Sequence, residues 1–307
     1  MAFSFDTVVI FVISMAIIVG NILILLVLFC TEQLTHVNKY FLASLTTSDL
    51  CIGFFIAPFS IWTSMFDRWI YGEHFCHIEA HLAAIFWIAS IYSQTWLSID
   101  HYVAIRKPDR YESVMTRTRS ACWVVFIWLA AVCFCCPPLF GVNEAWYYSA
   151  PFVCIINWNL QKAYFITAGL LIIVPPVIAL MISNLYIFTW KYRQKRVIFE
   201  KSEELSSRPE VYFMNFVVCL VYFMAWFPWC MLELYETLQV SPPVVSHKVP
   251  PEMPTMAPQQ VHFYLMWLAI GNSFWKFVLY VIMDHDFRIG LKIIYAKMAC
   301  SRWSNAS

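Results

Sequence analysis

Two charged residues, Asp49 and Lys276, interrupt long apolar stretches of the sequence. An unpaired charged side chain at the centre of a bilayer costs about 3 kcal/mol or more, so such residues usually pair with another charge, hold an ion or operate a switch. We expect the Lys276 ammonium to need a counter-charge, and Asp49 is the obvious partner. The alternatives are an Asp49 that is hydrogen-bonded to neighbouring helices and a Lys276 side chain that extends toward the cytoplasm.

The composition identifies a membrane protein. Hydrophobic residues make up 61% of the 307 residues and charged residues only 13%, whereas soluble proteins average about 25% charged. A helix crosses the hydrocarbon core in roughly 20 residues. The sequence therefore predicts an all-α seven-transmembrane helix bundle in one domain, 1–307, with spans at 7–30, 38–64, 76–105, 120–140, 163–190, 209–237 and 261–283.

The placement of the basic residues predicts the orientation. Sixteen of the 20 Lys and Arg residues fall on one side of the predicted spans, and only Arg68, Lys162 and Lys248 fall on the other. Cytoplasmic loops carry the excess of Lys and Arg. We therefore expect a plasma-membrane protein with an extracellular N-terminus. The first apolar run has no basic segment before it and no small-residue cleavage site, so we expect a membrane helix rather than a signal peptide.

The stretch after the last span, 285–299, places apolar residues largely on one side of a helix with Arg288, Lys292 and Lys297 among them. A basic amphipathic helix in this position is expected to lie along the membrane surface and contact lipid. Cys300 at its end is a candidate lipidation site, with an unmodified thiol as the equal alternative.

Two of the 11 cysteines are predicted to form a disulfide. Seven cysteines fall within the spans, and Cys30 and Cys300 face the reducing cytoplasm. Only Cys76 and Cys154 remain on the oxidising side, where disulfides persist. This elimination predicts one bridge, which would tie the loop containing Cys154 over the mouth of the bundle.

Common enzyme signatures are missing from the sequence. It contains no H-E-x-x-H, no P-loop and no nucleophile elbow. The cluster of Cys133, Cys135 and Cys136 lacks the histidine partners and spacing of a metal site. We therefore predict no enzyme, no cofactor, no metal site and no nucleic-acid partner.

Short motifs occur in order along the spans. They are GN at 20–21, LTTSDL ending beside Asp49, WIYG before Cys76, DHY at 100–102 with Pro108, Trp128 with Pro137-Pro138, Pro175-Pro176, AWFP ending at Pro228, and NSFWKFVLY ending at Tyr280. Together they make the chain resemble a rhodopsin-like (class A) G-protein-coupled receptor of the orphan type. The resemblance implies a heterotrimeric G protein at the cytoplasmic face and an extracellular ligand.

Departures from the family pattern limit the class of ligand that we expect. Amine-binding members carry an aspartate where this chain has Ala83, and opsins carry their retinal lysine where it has Ile270. We therefore expect neither an amine receptor nor a photoreceptor. Trp226, two residues before the hinge proline Pro228, is expected to report pocket occupancy. The resemblance implies a pocket lined by Glu79, His81, Ala83, Phe86, Trp87, Trp226, Glu233, His262 and Met266. Interfacial hydrogen bonding is the alternative role for the two histidines.

Lys276 replaces the asparagine of the family's seventh-span Asn-Pro-x-x-Tyr motif, which ends here at Tyr280. Family members often hold sodium between the second-span aspartate, that asparagine and polar residues that match Ser90, Asn272 and Ser273. The resemblance therefore implies that the Lys276 ammonium takes the place of the sodium ion. We expect a sodium-insensitive receptor.

The predicted cytoplasmic switch is altered on both sides. His101 stands between Asp100 and Tyr102 where the family has arginine, and histidine is often neutral at physiological pH whereas arginine is always charged. Arg208 stands where many members place the glutamate that faces this arginine. The ionic latch that holds the third and sixth helices together in the inactive family members therefore cannot form.

Two functions remain open. The first is a receptor that activates a G protein with high basal activity, favoured by Asp100, Tyr102, Pro108 and the basic cytoplasmic loops. The second is a seven-helix decoy, scaffold or heteromer partner without productive coupling, favoured by His101, Lys276 and Phe277. The aromatic loop around Cys154, residues 141–159, is predicted either to enter the bundle mouth as a tethered agonist or plug, or to pack as a lid on the helix ends.

Overall fold

The computed structural model describes residues 4–31, 34, 38–137, 145–156, 166–167, 169–197, 209–239 and 257–304. Within these ranges, seven helical segments are long and apolar enough to cross a membrane, which confirms the predicted bundle. The first to seventh spans are Phe5–Cys30, Lys39–Phe66, Glu73–Arg106, Arg117–Pro137, Gly169–Ile173 continued by Val174–Val197, Pro209–Gln239 and Gln259–Met283. A short helix, Pro108–Val114, follows the third span, and a C-terminal helix, His285–Ser304, follows the seventh.

Several helix ends differ from the predicted ones. The third span begins at Glu73 rather than 76, directly after Gly72, whose φ of 83° is readily adopted only by glycine. The C-terminal helix continues to Ser304 rather than ending at 299. Residues 138–140 and 163–165, which the sequence predicts within the fourth and fifth spans, lie outside the described residues.

Prolines bend or end three of the helices. The second span is divided at Ile56 into Lys39–Phe55 and Ala57–Phe66, because Pro58 has no amide hydrogen and crowds the preceding turn. Pro228 lies inside the sixth span, where it likewise removes a backbone hydrogen bond of the helix. The third span ends before Pro108, since the residue that precedes a proline disfavours the helical conformation.

A β hairpin lies at the end of the bundle that carries the disulfide, which we call the disulfide end. Strand β1, Ala145–Tyr148, pairs antiparallel with strand β2, Val153–Ile156, and places Tyr147 opposite Cys154. Cys154 is bonded to Cys76 at the start of the third span, with 5.4 Å between the Cα atoms. The predicted disulfide is therefore confirmed, whereas the hairpin itself was not predicted.

The opposite end of the bundle is closed by the C-terminal helix. Phe287 and Ile294 are buried against the first, second and seventh spans in a cluster with Leu28, Phe41 and Tyr280. Gly290 allows the close approach, because a Cβ atom at this position would lie 2.6 Å from the Val27 Cγ1 methyl group. The C-terminal helix is thus packed onto the bundle along the face that contains Gly290.

Candidate functional site

A buried ion pair joins the second and seventh spans. Lys276 Nζ lies 2.9 Å from Asp49 Oδ2, and the side chains are 4% and 7% exposed. The ammonium also donates to Thr46 Oγ1 at 3.3 Å, and Ser90 Oγ donates to Asp49 Oδ1 at 3.1 Å. Each charge therefore has an opposite charge and a hydroxyl partner, the condition under which buried ions are tolerated. Sequence reasoning missed Thr46, although its i, i+3 spacing from Asp49 puts both on one helix face.

Little space remains beside this pair. The adjoining cavity, lined by Ser90, Asn272 and Lys276 among others, has a volume of about 10 Å³. A single water molecule needs roughly 10–15 Å³ of cavity volume, so a hydrated ion does not fit there. Ser273, another predicted member, is buried, and its backbone carbonyl oxygen accepts a hydrogen bond from Asn21 Nδ2 at 3.2 Å.

The Asp100 carboxylate is held by residues from outside its own motif. It is 1% exposed and accepts hydrogen bonds from Asn38 Nδ2 at 3.1 Å and from the Tyr111 hydroxyl at 3.0 and 3.2 Å. Asn38 caps the start of the second span, and Tyr111 lies in the short helix. Sequence reasoning missed both partners, and no local spacing signals them because only packing brings the three segments together.

The other predicted switch residues lie near the same end. His101 is buried, and the Tyr102 ring packs edge-on against Tyr186 with 4.9 Å between centroids. Tyr280 is buried and its ring lies 5.4 Å from that of Phe287 on the C-terminal helix. Arg208 and the side chain of Cys300 lie outside the described residues, so their predicted roles stay predictions.

The hairpin presents two different faces. Trp146 and Tyr148 of β1, with Val153 and Ile155 of β2, pack into the bundle core. Tyr147 and Cys154 face the other way and pack with Trp69 and Cys76. This division follows from the alternation of side chains along a strand. One face of the hairpin therefore fills the bundle mouth, and the other covers the disulfide.

The inward face meets several of the predicted pocket residues. The core cluster contains Ala83, Phe86 and Met266, together with Phe152 from the hairpin turn. Trp267 Nε1 donates to the carbonyl oxygen of Pro151, also in the turn, at 3.0 Å. Residues of the third and seventh spans that the family resemblance assigns to a ligand are thus in the cluster that the loop itself occupies.

A polar contact ties the hairpin to the sixth and seventh spans. The Tyr148 hydroxyl lies 3.1 Å from Glu236 Oε2 and 3.1 Å from His262 Nδ1, and His262 Nε2 lies 2.9 Å from Glu236 Oε1. Burial and the carboxylates of Glu233 and Glu236 raise the pKa of Tyr148 far above its usual range, so the hydroxyl stays protonated and donates. Sequence reasoning found His262 but missed Glu236, which lies one turn after Glu233.

Two further predicted pocket residues, Glu79 and His81, have hydrogen-bond partners within the protein. Glu79 is 1% exposed, and its Oε2 accepts a hydrogen bond from the Cys154 backbone amide at 3.2 Å, next to the disulfide. The His81 ring donates to the His77 carbonyl oxygen of its own helix. The structure therefore gives Glu79 a loop-anchoring contact and gives His81 a contact within the third span.

Two tryptophans predicted to line the pocket contact each other. The Trp87 and Trp226 rings meet edge-to-face with 4.8 Å between centroids, and Trp226 lies two residues before Pro228 on the sixth span. This contact therefore joins the third span to the sixth span beside Pro228.

Comparison with known proteins agrees with this architecture. Residues 20–280 match the family model described as 7 transmembrane receptor (rhodopsin family). The α1A adrenergic receptor of Oryzias latipes is 30% identical over 64% of this chain, which covers 42% of that relative. G-protein coupled receptor 52 of Bos taurus is 25% identical over 97% of the chain and 82% of the relative. The substance-K receptor of Canis lupus familiaris is 24% identical over 93% of the chain and 73% of the relative.

The family model spans most of the chain and all seven helices. The family consists of receptors and not of enzymes, in agreement with the prediction from the sequence. With its seven apolar helices, its disulfide-anchored hairpin and this match, the chain belongs to the 7 transmembrane receptor (rhodopsin) family of G-protein-coupled receptors.

Proposed function

We propose that this receptor transmits an extracellular, non-amine signal to a heterotrimeric G protein and that its own hairpin acts as a tethered agonist which gives high basal activity. The observation that carries the proposal is the packing of the inward face of the hairpin among Ala83, Phe86 and Met266. The disulfide end is then extracellular and the basic loops are cytoplasmic, in accordance with the charge asymmetry.

The contacts of the hairpin support a fixed agonist rather than a loose lid. Cys154 is bonded to the third span, and Tyr148 bonds to the sixth and seventh spans through Glu236 and His262. These three helices are thus joined through one short segment. A segment that touches several helices can stabilise one arrangement of them only through contacts that differ between arrangements. Glu236 follows Pro228 on the sixth span, so a movement of this part of the helix would change its contact with Tyr148.

The residues near the hairpin argue against an amine ligand. Ala83 provides no carboxylate for an ammonium group. The Glu79 and Glu236 carboxylates are already bonded, to the Cys154 amide and to Tyr148 and His262 respectively. Displacing these partners would leave buried polar groups without hydrogen bonds, which is costly.

Alanine substitutions in the hairpin test the tethered agonist. Tyr148→Ala and Phe152→Ala remove inward-facing side chains, so we expect basal second-messenger production to fall at equal surface expression. Tyr147→Ala is the matched control, because Tyr147 lies in the same strand but faces Trp69 and the disulfide. Equal basal signalling in the inward and outward variants contradicts insertion, and a rise in the inward variants identifies a plug.

The Asp49–Lys276 pair supports signalling that does not depend on sodium. The ammonium lies against the carboxylate at 2.9 Å, and the adjoining cavity of about 10 Å³ has no room for a hydrated cation. Ligand affinity and thermal stability of the intact receptor are expected to be the same in sodium chloride and in choline chloride. A stabilisation by sodium alone would contradict the proposal.

A second candidate function is a decoy or heteromer partner without productive coupling, because His101 replaces the arginine of the family motif. A basal second-messenger assay of the parent beside His101→Arg separates the two. Signal in both supports the receptor, and signal in the variant alone supports the decoy.

The basic C-terminal helix is proposed to contact membrane lipid in either case.

A further inference from the structure

Five buried polar side chains meet between the third, fifth and sixth spans, and we call them the polar cluster. Each is at most 5% exposed. They lie on the side of the bundle that leads to Asp100 and His101, since Ser98 is three residues, about one helical turn, before His101. The members of the polar cluster are Gln94, Ser98, Asn184, Asn215 and Cys219.

Hydrogen bonds connect all three helices through this cluster. Asn215 Nδ2 donates to Ser98 Oγ at 3.0 Å and to Asn184 Oδ1 at 3.4 Å. Gln94 Nε2 donates to Asn215 Oδ1 at 3.3 Å and to Cys219 Sγ at 2.9 Å. Asn184 Nδ2 lies 3.2 Å from Ser98 Oγ and 3.3 Å from Cys219 Sγ. Asn215 therefore bonds to both neighbouring helices, and its loss would release the sixth span from each.

Every polar member of the cluster is uncharged. Amide and hydroxyl groups do not titrate between pH 5 and 9, so their bonds are independent of pH in that range, unlike a bond to histidine. Within a membrane, such groups usually stay hydrogen-bonded because a polar atom left unpaired in apolar surroundings is costly. Separating the sixth span from the third would leave these amides without partners until water enters.

We infer that Gln94, Asn184 and Asn215 form a neutral latch that holds the sixth span against the third and fifth spans in the closed state of the receptor. They are positioning residues for the switch at His101, since they act on the spacing of the helices through hydrogen bonds between the spans. The inference rests on the proposed receptor function only for its signalling consequence. The latch itself concerns the distance between helices and exists whether or not a G protein couples.

The expected magnitude follows from the number of bonds. On average, removing one interhelical hydrogen bond in a membrane protein changes an equilibrium constant about threefold. Asn215→Leu keeps a similar volume and removes the three interhelical bonds of Asn215, to Ser98, Asn184 and Gln94. The ratio of open to closed receptor is then expected to rise about twentyfold.

Cys219 provides a built-in reporter of this opening. Its thiol is buried in the closed cluster, and separation of the helices exposes it to water and alkylating reagent. The test measures the rate at which N-ethylmaleimide modifies Cys219, by peptide mass spectrometry, in parent, Asn215→Leu and Gln94→Leu receptors in nanodiscs. Cys30, which is exposed at the end of the first span, serves as an internal reference. Basal nucleotide exchange on purified G protein is measured on the same samples.

Thr95→Val is the matched control variant. Thr95 is a buried polar residue of the third span, but it bonds to Ile91 and Pro176 and, among the described residues, makes no hydrogen bond to the sixth span. We expect Cys219 modification to be about twentyfold faster in Asn215→Leu and near the parent rate in Thr95→Val, with the same difference at pH 6 and pH 8 relative to Cys30. Unchanged Cys219 modification in both Asn215→Leu and Gln94→Leu overturns the latch.

The two readouts separate the latch from the receptor function. Faster Cys219 modification with raised nucleotide exchange supports both. Faster modification without any exchange supports the latch and contradicts the proposed coupling. Asn215→Gln, which retains the amide, is expected to restore part of the slow modification, and failure of Asn215→Leu to fold would leave Gln94→Leu as the deciding variant.

Discussion

Breaking the buried ion pair is expected to destabilise the receptor strongly. Lys276→Met keeps a long side chain but removes the ammonium, and Asp49 then retains only the hydrogen bond from Ser90. At a separation of 2.9 Å and an effective dielectric constant of about 20, the lost attraction is roughly 6 kcal/mol. Removing one partner of a buried pair costs about 3–5 kcal/mol in practice, because desolvation offsets part of that attraction. Exposures of 4% and 7% leave little screening by solvent.

The assay for this prediction is thermal unfolding of the purified receptor in nanodiscs. A loss of this size lowers the midpoint by roughly 10 °C for a chain of this length. The double variant Asp49→Asn with Lys276→Met removes both charges and is expected to recover most of the loss, since replacing a whole buried pair is often neutral. A single variant as stable as the parent, or a double variant less stable than the single, refutes the reasoning.

Three other changes test separate parts of the molecule. Tyr148→Phe should reduce the loss of thermal stability between pH 8 and pH 11. The raised pKa keeps Tyr148 protonated in the folded state, whereas tyrosine in the unfolded chain ionises above about pH 10, so the parent loses stability as the pH rises further. A pH profile of the unfolding midpoint identical to the parent's would count against the buried hydroxyl. Tyr111→Phe should lower the free energy of unfolding by about 1.5–3 kcal/mol, because it removes a hydrogen bond to the Asp100 carboxylate. An unchanged unfolding midpoint would argue against that bond. Gly290→Val should speed backbone hydrogen exchange along the C-terminal helix, since its Cβ would collide with Val27, and unchanged exchange would contradict the close packing.

The membrane architecture could be predicted from the sequence because the relevant signals are local. Apolar runs of about 20 residues locate spans wherever they occur, and the first and seventh spans end within two residues of the predicted positions. Asp49 and Lys276 could be paired in advance because each is a charge in an apolar stretch and each needs the other. Cys76 and Cys154 could be paired in advance because only these two cysteines are predicted to lie on the oxidising side of the membrane.

Contacts that combine distant segments could not be predicted in this way. Tyr111 and Asn38 reach Asp100 from a short helix and a helix cap, and Glu236 reaches Tyr148 from the sixth span to the hairpin. None of these residues has a spacing that marks its partner. Which face of a helix turns inward depends on how all the helices pack, and one turn separates Glu233 from Glu236.

Composition and short motifs are enough to predict the seven spans, the disulfide, the family resemblance and the need for a counter-charge at Lys276. The packing of the helices sets the remaining features: one face of the hairpin fills the bundle mouth, Asp100 bonds to Asn38 and Tyr111, and Gln94, Asn184 and Asn215 meet between three helices. These features escape prediction because a hydrogen bond depends on positions to within a few tenths of an ångström, and helix rotation and packing set those positions jointly for the whole bundle.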